Sequence, residues 1–182
     1  MLILASGSPR RKELLGLITD EFEVLVSGCD EFVPEGTPAE KVPAILAEQK
    51  ALAVAKLRPE DTIIGSDTVV VLDGEIFGKP KSKEHAHAML KALSGKKHFV
   101  YTGVAVAEND NVRSFVQKTE VEFYELSDET IDKYIETLEP MDKAGAYGIQ
   151  GKGSVLVKGI VGDYFNVMGL PVAETARFLG LV

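Results

Sequence analysis

The segment Thr62–Gly78, TIIGSDTVVVLDGEIFG, decides how the rest of the chain is read. Its β-branched run over Thr62–Leu72 predicts a long strand. Asp73-Gly74, between two apolar runs, is a hairpin signal, and Glu75–Gly78 is the expected return strand. A hairpin requires antiparallel pairing, so the fold is not an all-parallel α/β sheet. Within the same strand, Asp67 interrupts an apolar sequence. A carboxylate buried alone there costs several kcal/mol, so it either faces solvent at an edge or is held by a cation. Gly65 and Ser66, just before it, suggest a bulge or the close approach of a ligand.

Working outward, strand-like and helix-like patterns alternate. Met1–Ala5 reads as a strand and Pro9 to about Leu17 as a helix capped by Ser8; Phe22–Ser27 is a second strand. Thr37-Pro38-Ala39-Glu40 has capping-box spacing and opens a helical region running to about Leu57, with a bend expected at Pro43. Downstream, Ser82 caps a helix bearing Ala86, Met89, Leu90 and Leu93. Phe99–Ala107 and Val112–Tyr124 form a second hairpin around Glu108–Asn111. Ser127 begins a helix through Leu138, a glycine-rich region follows, a strand lies near Ser154–Ile160, and the last helix follows Pro171. This order predicts one continuous mixed α/β domain over residues 1–182, with both parallel and antiparallel strand pairs.

Composition narrows the functional classes. The chain has 182 residues, 45% hydrophobic and 26% charged, as expected of a globular protein. No apolar run approaches the ~20 residues of a membrane helix, and the N-terminus lacks a signal-type segment, so an unprocessed cytoplasmic protein is expected. Net charge is −8, which repels a nucleic-acid backbone and disfavours stable DNA or RNA binding. Cys29 is the only cysteine, which excludes an internal disulfide. His85 and His87 lie two apart on a predicted helix and point to different faces, against a histidine metal site.

Several segments bear residues suited to chemistry. In SGSPRR, Ser6–Arg11, two arginines stand at the positive end of a helix, which costs roughly 0.3–1 kcal/mol each. An anion bound by backbone N–H groups and guanidinium forks explains that placement; a capped surface helix with solvated arginines is the plainer alternative. The segment lacks the P-loop pattern. Asp30 and Glu31 follow the second strand and, with Asp67, offer oxygen ligands of the kind that Mg²⁺ shares with phosphates, although on their own they read more plainly as a solvated loop. Lys50 on the long helix and Lys79 after the hairpin matter only if the fold brings them to those acids. In DKAGAYGIQGKG, Asp142–Gly153, the glycines do not make a Rossmann fingerprint; Gln150 offers an amide able to read a base edge, but local evidence favours a plain loop.

Taken in order, LASGSPRRKELL, CDE, EQKA, IIGSDTVV, GKP, LSGKKHFVYTGVAV, DKAGAYGIQG and NVMGLP resemble the Maf family of nucleoside triphosphate pyrophosphatases over nearly the whole chain. The resemblance implies a mixed central sheet flanked by helices, with a deep cleft, similar to the inosine triphosphate pyrophosphatases. It implies hydrolysis of a nucleoside triphosphate to monophosphate and pyrophosphate with a divalent cation, Mg²⁺, Mn²⁺ or Co²⁺. Asp67 corresponds to the family's proposed general base, with Glu31, Lys50 and Lys79 completing the catalytic set and Glu31 and Asp67 as metal ligands. Ser6, Arg10, Arg11, Thr68 and Gln150 correspond to substrate-binding positions. Thr68 after the aspartate, and YGIQG later, resemble the branch acting on dTTP and UTP; the 7-methyl-GTP branch tends to have glutamine and glutamate at those positions. The resemblance also implies a homodimer and an association with septum formation, which leaves a nucleotide-sensing regulator without turnover as the competing class.

Overall fold

The computed structural model describes residues 1–26, 28–109 and 111–182; Ser27, at the end of the predicted second strand, and Asp110, in the second predicted turn, lie outside them. In chain order the elements are β1 (Leu2–Leu4), α1 (Pro9–Gly16), β2 (Glu23–Val24), α2 (Val42–Ala55), β3 (Thr62–Leu72), β4 (Glu75–Phe77), α3 (Lys83–Leu93), β5 (Lys97–Glu108), β6 (Asn111–Phe123), α4 (Asp128–Glu136), β7 (Val157–Val161), α5 (Tyr164–Met168) and α6 (Val172–Phe178). The strands order as β2-β1-β3-β5-β6-β7, with β4 paired to β3 off that path. β1 is parallel to both β2 and β3, whereas β3–β4 and β6–β7 are antiparallel. The sheet is therefore mixed, as expected.

Local chemistry explains the element starts. Ser8, Ser82 and Ser127 each accept a hydrogen bond from the backbone N–H three residues on, and so begin α1, α3 and α4. Asp73 (φ 51°) and Gly74 (φ 84°) both take the left-handed region, the backbone of a tight two-residue hairpin turn that pairs Leu72 with Glu75.

Several local expectations change. The second strand shrinks to Glu23–Val24, both exposed. Thr37 forms no capping box: its hydroxyl donates to the Pro34 carbonyl at 2.6 Å. A 3₁₀ turn over Ala39–Lys41 follows, and Pro43 stands in the first turn of α2, so it starts the helix and does not bend it. Residues Gly151–Leu156 form a 3₁₀ turn, which moves the last strand to Val157–Val161, and the short α5 was not foreseen.

Packing divides the chain into two units: residues 1–68, 102–117 and 169–182, and residues 69–101 and 118–168. The long strands β3, β5 and β6 contribute residues to both. In the first unit, Ala47, Ala51 and Val54 of α2 pack on Ile3, Ala5, Ile63, Ala105 and Ala107. Two glycines admit the helix: a methyl group on Gly65 would collide with the Ala47 carbonyl and the Ala51 amide, and one on Gly103 with the backbone of Pro43 and Ala44. Gly65 thus makes room for a helix backbone, not for a bulge or a ligand. This approach sets α2, and Lys50 with it, against β3.

In the second unit, Ala86, Met89, Leu90 and Leu93 of α3 and Ile131, Tyr134 and Ile135 of α4 share a core with Val100, Val121 and Phe123. His98 sits inside it, edge-on to Phe123 at 5.0 Å, with Nε2 2.8 Å from the Tyr147 hydroxyl. Burial lowers the His98 pKa from 6.5 to about 4. A histidine held neutral by folding contributes stability that is whole above pH 6.5 and is lost as pH falls towards about 4. The unfolded chain takes up the proton first, which costs about 3 kcal/mol across that window. Denaturant titrations at stepped pH should show a His98→Phe variant flatter than the parent by that amount. The variant's orphaned Tyr147 hydroxyl adds only a pH-independent offset.

Candidate functional site

Asp67 lies on β3, between β1 and β5, and its side chain is only 15% exposed. It is largely buried, and it is not alone. Lys50, one of the residues on the α2 face turned to β3, places Nζ 2.5 Å from Asp67 Oδ1 and 3.0 Å from Glu31 Oε1. Glu31 reaches this ammonium from the loop after β2 and is about half exposed. Three charges that are 17 or more residues apart in sequence therefore converge, the middle one a cation flanked by two anions.

Arg11 organises the other side. Its Nε donates to the Gly169 carbonyl at 2.8 Å, Nη2 to Thr68 Oγ1 at 3.0 Å and Nη1 to Ser6 Oγ at 3.4 Å. The buried Ser66 hydroxyl donates to the same Gly169 carbonyl at 3.1 Å, and Thr68 Oγ1 lies 2.8 Å from Thr102 Oγ1. Ser6 Oγ also accepts the Ser8 N–H at 3.2 Å. The loop ahead of α1, the middle of β3 and the turn before α6 are thus tied to one guanidinium. Burial is the largest influence on Arg11 and draws its pKa below the ordinary value; the Asp67 charge opposes this, Arg10 adds to it and Glu31 opposes it. Arg10 is close enough for its charge to be felt by its neighbour, and it is half-buried.

Of the residues singled out in the sequence, Ser6, Arg10, Arg11, Glu31, Lys50, Asp67 and Thr68 all belong to the first unit. Lys79 and Gln150 belong to the second, and both are exposed. There the Gly145 N–H donates to the Gly78 carbonyl at 3.1 Å, joining the segment after β4, just before Lys79, to the segment leading to Gln150. The sequence reading missed Thr102 and Gly169, and took Ser66 only as a sign of a bulge or a nearby ligand. Small hydroxyls inside apolar strands were the available signal for Ser66 and Thr102, because each is fully buried and needs a partner.

The arrangement can hold an anion and a cation together. Two carboxylates already converge on one positive point, and an octahedral Mg²⁺ needs no more than one or two carboxylates beside phosphate and water oxygens. Among the described residues no group of three or more His, Cys, Asp or Glu converges into an all-protein metal cage. Glu31 and Asp67 therefore fit a divalent ion that shares its ligands with a substrate.

The family model for Maf-like protein matches residues 1–182. The chain belongs to the Maf-like family. A dTTP/UTP pyrophosphatase of Bacillus cytotoxicus is 53% identical over 178 residues, covering 97% of this chain and 93% of that protein. A dTTP/UTP pyrophosphatase of a Geobacillus species is also 53% identical, covering 97% of this chain and 95% of its own length. Among solved structures, the Ham1 protein of Staphylococcus aureus superposes with a TM-score of 0.55 at 17% identity, over 98% of this chain and 97% of that one. This likeness places the Maf-like fold beside that of Ham1. No helix among the described residues is long and apolar enough to cross a membrane.

Proposed function

We propose that this Maf-like protein is a nucleoside triphosphate pyrophosphatase acting on dTTP and UTP, with residues 1–182 as its single functional domain. The observation that carries the reading is the Asp67–Lys50–Glu31 convergence beside Arg10 and Arg11. The names and near-full coverage of the relatives support the substrate class.

In this reading a water attacks the α-phosphorus, the bond from that phosphorus to the bridging oxygen breaks, and monophosphate and pyrophosphate leave. Asp67 takes the proton of the attacking water. Lys50 holds the Asp67 carboxylate through Oδ1 and fixes its direction. Arg10 and Lys79 bind phosphate oxygens, and Gln150 meets the base. Arg11 spends its donors on Ser6, Thr68 and Gly169, so its main work is to shape the site and add positive potential. Glu31 and Asp67 would hold a divalent cation, Mg²⁺, Mn²⁺ or Co²⁺, which when bound neutralises phosphate charge and polarises the P–O bonds. Most of the catalysis is then positioning and electrostatics. The reading further takes the protein to be a cytoplasmic homodimer, on the strength of the family resemblance.

The test is an assay of product. With Mg²⁺ and a panel of nucleoside triphosphates, equimolar monophosphate and pyrophosphate should appear from dTTP and UTP ahead of purine nucleotides, and chelation should stop it. Inorganic phosphate as the released product, or nucleotide binding with no turnover, would overturn the reading.

A further inference from the structure

Gln150 stands in a run of glycines whose backbone is gripped from below. Glu139 Oε1 accepts the Gly153 N–H at 3.0 Å and the Tyr134 hydroxyl at 2.9 Å, while Oε2 accepts the Lys152 N–H at 3.0 Å. The Tyr134 hydroxyl in turn accepts the Gly148 N–H at 3.0 Å. One carboxylate and one phenol thus satisfy three backbone donors on both sides of Gln150, and leave its own side chain exposed. The fit is tight: a methyl group on Gly153 would lie 2.6 Å from the Tyr134 hydroxyl, and one on Gly151 would lie 2.9 Å from Glu139 Oε2.

The clamp is itself braced. Tyr134 is buried in α4, within the core of the second unit. Leu138, exposed and left-handed at φ 62°, turns the chain sharply so that Glu139 points back at that helix. Lys143 Nζ donates to the Glu139 carbonyl at 2.7 Å. Burial alone would raise the Glu139 pKa, but the amides of Lys152 and Gly153 and the Tyr134 hydroxyl outweigh it and hold the carboxyl below its usual range. At neutral pH it is the acceptor-only carboxylate that the geometry requires.

We infer that Tyr134 and Glu139 are positioning residues for base selection: they hold the Gly148–Gly153 backbone in the one shape that presents the Gln150 amide to a pyrimidine. The inference rests on the reading of Gln150 given above. A neutral amide at position 139 can accept only through its oxygen, so one of the two amides is left facing a donor. A phenylalanine at position 134 removes the acceptor of Gly148 and the donor to Glu139. In either case the loop samples other shapes and the base contact blurs, while the Asp67 cluster lies in the other unit and keeps its own bonds.

The experiment compares Tyr134→Phe, Glu139→Gln and Gln150→Glu with the parent on dTTP, UTP, ATP and GTP, alongside amide hydrogen exchange. For the two clamp variants, KM for dTTP and UTP should rise about tenfold, with a matching loss of preference over purines and kcat kept within about threefold. The Gly148 amide should exchange faster in Tyr134→Phe, and those of Lys152 and Gly153 in Glu139→Gln. If Gln150→Glu shifts the substrate profile and both clamp variants keep the parent's, the inference fails while the reading of Gln150 stands. If Gln150→Glu leaves the profile unchanged, the base-reading role itself falls, and the inference with it. Should Glu139→Gln not fold, Tyr134→Phe decides the matter, because it deletes one oxygen and leaves the ring packed.

Discussion

An Asp67→Asn enzyme is expected to release pyrophosphate from dTTP about a thousandfold more slowly than the parent while melting within a few degrees of it. The rate estimate comes from the loss of a positioned general base, which contributes roughly 10²–10⁴-fold. A thousandfold is about 4 kcal/mol of barrier. The fold should tolerate the change because asparagine has the same shape and Lys50, deprived of one carboxylate, retains Glu31 at 3.0 Å. Asp67 is still largely buried, so the comparison must be made on protein shown to be folded, by near-ultraviolet circular dichroism and a melting curve. The informative partner is Glu31→Gln. If Asp67 is the base, Glu31→Gln should chiefly raise the metal concentration needed for half-maximal rate. If instead the aspartate variant retains near-parent turnover and the glutamate variant does not, the two roles are exchanged. Rates followed across a Mg²⁺ titration distinguish these outcomes.

That experiment bears on a cluster that was only half legible in the sequence. Spacing within one element could be read well: Ser8, Ser82 and Ser127 cap the helices they were expected to cap, and Asp73-Gly74 makes its hairpin. These features depend on neighbours within a few residues, which a sequence displays directly. The oddity of Asp67 inside an apolar strand was visible too, but its solution was not. The partner cation lies on another helix, and nothing local to Lys50 marks it. Gly65 shows the same limit. Its sequence context suggested a ligand or a bulge, whereas the reason for it is the backbone of α2, which comes close enough to forbid a side chain. Thr37 failed for a different reason: a capping hydroxyl competes among several nearby acceptors, and the Pro34 carbonyl took it. For the arginine pair the sequence leaves an anion grip and a capped surface helix open, and half-buried Arg11 does not fit a solvated helix start. Arg11 is tied into the protein by three hydrogen bonds, two of them to Thr68 and Gly169, which are too remote in sequence for any local pattern to display.

Arg11→Lys tests that tie and should prove far from conservative. The guanidinium reaches three acceptors in fixed directions, on Gly169, Thr68 and Ser6, from a side chain that is half-buried. An ammonium preserves the charge but has no planar fork, and satisfies at most one or two of those acceptors in that geometry. Losing two charge-assisted bonds of about 1.5 kcal/mol each gives a destabilisation of roughly 2–3 kcal/mol, measurable as a fall in the denaturant midpoint. The functional loss should exceed what stability alone explains, because Thr68 follows Asp67 directly on β3 and Gly169 also receives Ser66, the residue before it. If Asp67 is the base, loosening the strand around it misplaces its carboxylate, and a small misplacement at a reacting group costs on the order of a hundredfold in rate. If Arg11 instead served mainly as a phosphate ligand, lysine would largely replace it: KM would rise modestly, kcat would hold, and the midpoint would not move. A lowered kcat together with a lowered midpoint, at unchanged charge, is the signature of a bracket that aims Asp67.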